Sequence, residues 1–178
     1  FAEQRFTPFL AVSDNAREVG ITITAASKGW NIAGLKCAII VTDGDAMNEK
    51  MKELPYALHF RASLFGAFAS ALAFGEGEPW LDTVMANLDE NRFLIKNLLD
   101  TQLPSVGYHL PHNGYLAWLD LEALKLGEDP SVRLLEVGKV AFNPGKIYSP
   151  TTSQYVRLNF ATSPAIISEA IDRIAASI

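Results

Sequence analysis

The first part of the chain shows the apolar and polar alternation that is typical of β-strands. Residues 21–24 read Ile-Thr-Ile-Thr, and residues 35–42 contain the apolar run Ala-Ile-Ile-Val. We predict a strand in each place. Residues 25–34 between them are rich in small side chains and are predicted to form a loop, and residues 1–19 to form loop with a short helix.

A helical pattern follows the turn signal Asp-Gly-Asp at residues 43–45. Proline and glycine residues interrupt this pattern. It predicts helices over residues 46–54, 56–74 and 79–102. The stretch 56–74 is the most apolar in the chain, but it contains His59 and Arg61. We therefore predict a buried helix there and no membrane span.

After Pro104 the pattern becomes mixed. It predicts strands at residues 106–110, 115–121, 139–142 and 155–161, and helices at residues 131–137 and 163–178. Ser163 and Pro164 are a typical start for the last helix. The order of elements predicts an initial α/β segment that is followed by a mixed α+β segment, with a boundary near residues 44–56.

The α/β segment has two predicted strands and no partner strands of its own. Alone it would leave sheet edges open and apolar faces uncovered. The chain also begins with Phe1 and without a helix start signal. We therefore expect an upstream segment, which supplies the missing strands.

Composition narrows the class of protein. The 178 residues are 49% hydrophobic and 20% charged, which is typical of a soluble globular protein. A net charge of -5 does not favour nucleic acid or an anionic membrane as a partner. The single cysteine, Cys37, excludes an intrachain disulfide, and together with the lack of a signal segment it suggests a cytoplasmic setting. His109 and His112 have no evident third ligand, so no metal site is predicted.

The stretch Ser27-Lys28-Gly29-Trp30-Asn31-Ile32-Ala33-Gly34-Leu35 carries the candidate chemistry. It places Lys28 at the end of a predicted strand, in a loop of small residues that lets the backbone approach a bound group. A lysine in a dry pocket loses its proton and attacks a carbonyl to form an imine. An ordinary lysine is a solvated surface charge, but such a lysine does not need Trp30 and Asn31 packed around it.

This stretch resembles the pyridoxal-phosphate (PLP) lysine signature of class I/II aminotransferases, which are fold-type I enzymes. Cystathionine β-lyase-type carbon-sulfur lyases are the most similar subfamily. The resemblance extends over the chain, with further matches at residues 87–92, 115–120, 142–145 and 155–163. It implies that residues 1–55 end the large PLP-binding α/β domain, and that residues 56–178 form the interdomain helix and the small carboxy-terminal α+β domain.

The resemblance also implies roles for single residues. Lys28 would hold PLP through an imine and then move the substrate α-proton. Ser27 and Lys36 would bind the cofactor phosphate, although Ser27 could instead cap local backbone and Lys36 could be a solvated strand end. The family usually has a second serine three residues before the lysine, and this chain has Ala25 there.

Arg157 is flanked by Val156 and Leu158 on a predicted strand, an awkward place for an unpaired charge. A guanidinium binds a carboxylate with two hydrogen bonds, so Arg157 is the predicted ligand of the substrate carboxylate. A structural ion pair is the alternative. Asn143 and Tyr115 match family positions but receive no chemical role: Asn143 is expected to set a turn and Tyr115 to lie in the core.

The predicted function is that of a PLP-dependent enzyme acting on small amino-acid substrates. The leading reaction is β-elimination from a cystathionine-like or cysteine-like substrate, which gives a thiol, pyruvate and ammonia. Transfer of the amino group to a 2-oxo acid is the alternative, and a non-catalytic regulator or binding module on the same fold is a third reading. The resemblance places the partner of the pyridine nitrogen in an upstream half and implies a homodimer, so the chain alone is expected to be inactive.

Overall fold

The computed structural model describes Phe1 and residues 3–178. At residue 59 it describes the backbone but not the side chain. It contains two compact units, one of residues 3–84 and one of Phe1 with residues 85–178. None of the helices in this described part combines the length and apolarity that crossing a membrane needs. The predicted domain boundary between residues 55 and 56 stays a prediction.

The unit of residues 3–84 contains a two-stranded antiparallel sheet. Its elements are α1 (Asp14–Val19), β1 (Thr22–Thr24), β2 (Ile39–Val41), α2 (Asp45–Lys52) and α3 (Leu64–Glu76). In the sheet Thr22 lies opposite Val41, and Thr24 lies opposite Ile39. Both predicted strands are therefore confirmed, but the second is shorter than predicted, because residues 33–35 form a 3-10 turn and Lys36 has a left-handed φ of 51°.

Apolar faces of this unit are uncovered. Its buried apolar side chains, among the residues described, are Ala16, Ala26 and Ala73. By contrast, Ile23 on β1 is 72% exposed and Phe65 on α3 is 75% exposed. Contiguous exposed apolar surface marks an interaction site, and the uncovered faces agree with the expectation from the lone strand pair.

The prediction of one helix over residues 56–74 is wrong. Tyr56–Phe60 form a 3-10 helix, and α3 starts anew at Leu64. The reason is Ser63, whose hydroxyl accepts a hydrogen bond from the backbone N–H of Gly66 and so caps a new helix. Residues 61–63 are left as a connection between the two helices. The predicted end of this helix at residues 75–77 is confirmed, because α3 ends at Glu76 and Gly77 is its C-cap residue.

The unit of residues 85–178 is built on an antiparallel sheet. The order of its strands is β3 (Gly107–Tyr108), β4 (Leu116–Asp120), β6 (Tyr155–Asn159) and β5 (Asn143–Pro144). Helices α4 (Glu78–Gln102), α5 (Pro130–Glu136) and α6 (Pro164–Ala175) accompany it, and α4 begins in the other unit. The predicted α4 and the Ser163 cap of α6 are both confirmed.

The predicted strand over residues 139–142 is wrong, and β5 at residues 143–144 takes its place. Lys139 has a left-handed φ of 54°. The N–H of Val140 donates to the carbonyl of Leu134, and the carbonyl of Lys139 accepts from Arg173 at 2.9 Å. Because these backbone groups are already used by α5 and α6, they are not available to a strand ladder.

The sheet buries one face and leaves the other for polar and aromatic residues. Along β6, Val156 and Leu158 are buried and alternate with half-buried Tyr155 and Arg157. The buried face joins a core of large apolar side chains, among them Leu119, Phe160, Ile95, Leu99, Ile167, Ile171 and Ile174. Buried Asn91 of α4 donates to the carbonyls of Phe160 at 3.0 Å and Thr162 at 2.8 Å, which fixes the end of β6.

Candidate functional site

Lys28 lies in a tight turn that directly follows β1. The turn covers residues 26–31, where the N–H of Trp30 donates to the carbonyl of Ala26 at 3.0 Å. Asn31 has a φ of 55°, a left-handed conformation that asparagine adopts more readily than most residues. The side chain of Lys28 is exposed in this chain. The described residues therefore position Lys28 without enclosing it.

Trp30 anchors this turn to the end of α3. Its indole Nε1 donates to the carbonyl of Gly77 at 2.9 Å, and its ring meets Phe74 edge-on at 5.1 Å between ring centroids. A side chain at Gly77 would be impossible without a shift, because its Cβ would lie 2.3 Å from Nε1. The aromatic residue two positions after Lys28 thus has a local structural role.

A concavity of about 420 Å³ lies beside the turn. This volume is in the range of small-molecule sites, roughly 300–1,000 Å³. Both predicted phosphate ligands, Ser27 and Lys36, line this concavity, whereas Lys28 is not among the lining residues. The full lining is Ala25, Ser27, Lys36, Cys37, Ala38, Leu58, Arg61 and Ala62.

The start of α3 holds the far wall of this concavity in place. The N–H of Ser63 donates to the carbonyl of Lys36 at 3.4 Å. Gly66 is buried against the same segment, so that an added Cβ would lie 2.3 Å from the carbonyl oxygen of Leu35 and 2.9 Å from the Cβ of Cys37. Such a contact with backbone cannot be relieved by turning a side chain, and it requires glycine at position 66.

We expect Gly66→Ala to displace residues 35–37 and to weaken PLP binding by the intact protein about tenfold, the effect of losing one well-made charged hydrogen bond. Gly75→Ala is the matched control, because Gly75 lies in the same helix and an added Cβ meets nothing within 4 Å. That control is expected to raise the free energy of unfolding by about 0.5–1 kcal/mol. Titration of apoprotein with PLP and thermal unfolding measure the two effects. Equal PLP affinity in both variants would contradict the expectation.

Arg157 lies in the other unit, on the polar face of the sheet. Strand pairing places it directly opposite both Trp118 of β4 and Asn143 of β5. Its Nη2 donates to the Oδ1 of Asn143 at 2.9 Å, and its guanidinium carbon lies 5.3 Å from the centre of the Tyr148 ring. The buried Nε–H has no hydrogen-bond partner within the described part of the chain. A buried donor without a partner is costly, which is the property expected of a group that receives an anionic ligand.

Aromatic rings form a wall around Arg157. Trp118 stacks on Tyr155 with ring centroids 5.5 Å apart and meets Tyr148 edge-on at 5.5 Å. A hydrogen bond and the negative charge of Asp120 raise the pKa of Tyr155, so this phenol keeps its proton at neutral pH. The wall therefore offers ring faces and the neutral hydroxyl of Tyr155 beside Arg157.

The loop that carries Tyr148 is tied to α5 by an ion pair. Lys146 Nζ lies 2.8 Å from Asp129 Oδ2. Burial raises the pKa of Asp129, but hydrogen bonds from Lys146 and Ser131 outweigh this and hold the pKa below its ordinary value. The carboxylate therefore stays charged, and keeps the loop in place, throughout the neutral range.

Sequence reasoning missed two residues at these places. Asn143 was expected only to set a turn, but its side chain contacts Arg157. Arg61 was expected inside a buried helix, but it lines the concavity. Tyr115 is half-buried, and its backbone carbonyl accepts from the N–H of Phe160. Among the described residues no group of three or more His, Cys, Asp or Glu side chains is arranged to hold a metal ion.

Comparison with known proteins connects this geometry to a family. Cystathionine beta-lyase of Corynebacterium glutamicum is 39% identical over 166 residues, covering 92% of this chain and 44% of that protein. Cystathionine beta-lyase PatB of Bacillus subtilis is 30% identical over 181 residues, covering 98% of this chain and 46% of that protein. The chain is thus similar to the carboxy-terminal part of cystathionine beta-lyases along nearly its whole length. It spans about half the length of these relatives.

Solved structures agree on the fold of this carboxy-terminal part. Cystalysin from Treponema denticola, a structure that contains pyridoxal 5'-phosphate, superimposes with a TM-score of 0.88 over 98% of this chain and 45% of that chain, at 23% identity. The fold is that of the carboxy-terminal part of fold-type I PLP enzymes, as predicted. No family model matches the chain.

Proposed function

We propose that this chain is the carboxy-terminal part of a PLP-dependent enzyme that cleaves the bond between Cβ and sulfur in cystathionine-like or cysteine-like amino acids. The observation that carries the proposal is the likeness to cystathionine beta-lyases over nearly the whole chain. The matched length includes the Lys28 turn, the concavity and Arg157.

The residues of the chain suit a PLP phosphate. A phosphate monoester carries a charge of about -1.5 to -2 at neutral pH and has strong acceptor oxygens. The concavity offers it the hydroxyl of Ser27 and the ammonium of Lys36, and Lys28 follows Ser27 directly. This donor set supports the proposal that Ser27 and Lys36 hold the phosphate while Lys28 bonds to the cofactor.

When bound, PLP supplies an electron sink for the carbanion that forms at the substrate Cα. Lys28 would take the α-proton as a general base, and Arg157 would bind the substrate carboxylate. The Cβ–S bond then breaks, and the thiol leaves with a proton. Hydrolysis of the remaining three-carbon fragment gives pyruvate and ammonia.

Catalysis in this proposal needs residues beyond the chain. The exposure of Lys28 and the uncovered apolar faces of Ile23 and Phe65 support an upstream half that shelters the amine and covers these faces. That half would also supply the partner of the pyridine nitrogen, and a homodimer is part of the proposal. A cytoplasmic location stays a prediction.

The test is an assay of the intact protein, including its upstream residues, with L-cystathionine. We expect pyruvate and a free thiol in equal amounts without any added 2-oxo acid. Amino-group transfer that requires a 2-oxo acid and releases no thiol would favour the aminotransferase alternative. A protein that stays colourless with PLP and produces neither product would support the non-catalytic reading instead.

A further inference from the structure

Arg61 shares the concavity with Lys36, and the residues that line it include no carboxylate among the described side chains. Both side chains are exposed, and neither forms an ion pair within the described part of the chain. An anion that lies between two cations removes the repulsion between them. The common location of Lys36 and Arg61 therefore makes this concavity a candidate anion site.

The backbone brings Arg61 to this wall. Its N–H donates to the carbonyl of Leu58 at 3.1 Å, which closes the 3-10 helix Tyr56–Phe60. Two residues later the N–H of Ser63 donates to the carbonyl of Lys36. Arg61 is thus held between two backbone hydrogen bonds, one of which ends on Lys36 itself.

We propose that Arg61 is a further phosphate-binding residue and that it acts together with Lys36 and Ser27 on the phosphate of PLP; this inference rests on the proposed function. Charge supports it, because Lys36 alone supplies one positive charge to a group that carries about -1.5 to -2. Arginine adds a planar fork of donors that suits two phosphate oxygens. Ala25, which also lines the concavity, contributes no side-chain donor.

The experiment compares two cofactor forms on the intact protein after its PLP has been removed. PLP and pyridoxal differ by the phosphate alone, so a phosphate ligand affects the first and not the second. For Arg61→Ala we expect the Kd of PLP to rise about tenfold and the Kd of pyridoxal to stay within about twofold. Arg61→Lys should recover part of the loss, because it restores the charge without the fork.

The matched control is Lys50→Ala, since Lys50 is an exposed cation of α2 that does not line the concavity. It should bind PLP as the parent does. An unchanged Kd of PLP in Arg61→Ala would overturn the inference. An equal loss for PLP and pyridoxal would also overturn it, because that result indicates a structural role.

Cys37 gives a second measurement that does not depend on the cofactor. It is half-buried in the wall of the same concavity, so an anion bound there should slow its alkylation by iodoacetamide. Inorganic phosphate should protect Cys37 in the parent, as read from the mass of its peptide, and should fail to protect it in Arg61→Ala. Equal protection in both proteins would contradict the inference. Failure of the proposed function would give a different result, which is measured on the parent protein alone. In that case borohydride would attach no PLP to Lys28.

Discussion

Lys28→Ala is expected to remove the covalently held cofactor and to lower kcat for pyruvate formation by about 10³-fold or more, because one side chain is proposed to bond to PLP and to move the α-proton. Borohydride reduction followed by mass analysis of the peptides measures the first effect. In the parent the added mass should lie on the peptide that contains Lys28. In the variant, dialysis without reduction should already remove the yellow colour, and reduction should attach no PLP at position 28.

Two further variants separate the chemistry of Lys28 from its charge. Lys28→Arg keeps a cation but offers no primary amine that can form an imine with PLP, so it should be as inactive as Lys28→Ala. Lys50→Ala removes an exposed lysine of α2 and should leave both activity and attachment unchanged. Added methylamine should restore part of the kcat of Lys28→Ala, because a small amine can move the proton in place of the lost one. Attachment of PLP to Lys36 in the parent would refute the assignment.

Arg157→Ala should raise the inhibition constant of glycine about 10²-fold, because it removes the proposed charge-assisted pair of hydrogen bonds to the carboxylate, for which about 2–5 kcal/mol is typical. Methylamine is the matched ligand, since it has the amine of glycine and lacks the carboxylate. Its inhibition constant should change less than about twofold. The KM for L-cystathionine should rise together with the inhibition constant of glycine.

Asn143→Ala provides a graded comparison for the same measurement. Asn143 accepts a hydrogen bond from Arg157 and lies opposite it in the sheet, so we infer that it orients the guanidinium. We expect a loss for glycine of about 3- to 10-fold, in line with about 0.5–1.5 kcal/mol for one hydrogen bond. Loss of glycine and methylamine binding in equal measure would show that these residues support the fold and do not bind the carboxylate.

Local patterns were sufficient for much of the fold. The two strands of the first unit, the helix Glu78–Gln102 and the Ser163 cap of the last helix were all predicted from periodicity, capping residues and proline or glycine stops. These signals are local, because a strand repeats every two residues and a helix cap acts within one turn. They failed at residues 61–63 and 139–142, where a capping hydroxyl and side chains from other elements took the backbone groups.

The sequence by itself determined which residues carry the candidate chemistry, since Lys28 and Arg157 are recognised by their neighbours along the chain. The tertiary structure decided which residues assist them. Strand pairing brings Asn143 into contact with Arg157, which is 14 residues away along the chain. Arg61 lines the same concavity as Lys36 because the N–H of Ser63 donates to the carbonyl of Lys36. A periodic pattern cannot report such contacts, because they depend on sheet register and on the approach of backbone at Gly66, which exist only after the chain has folded.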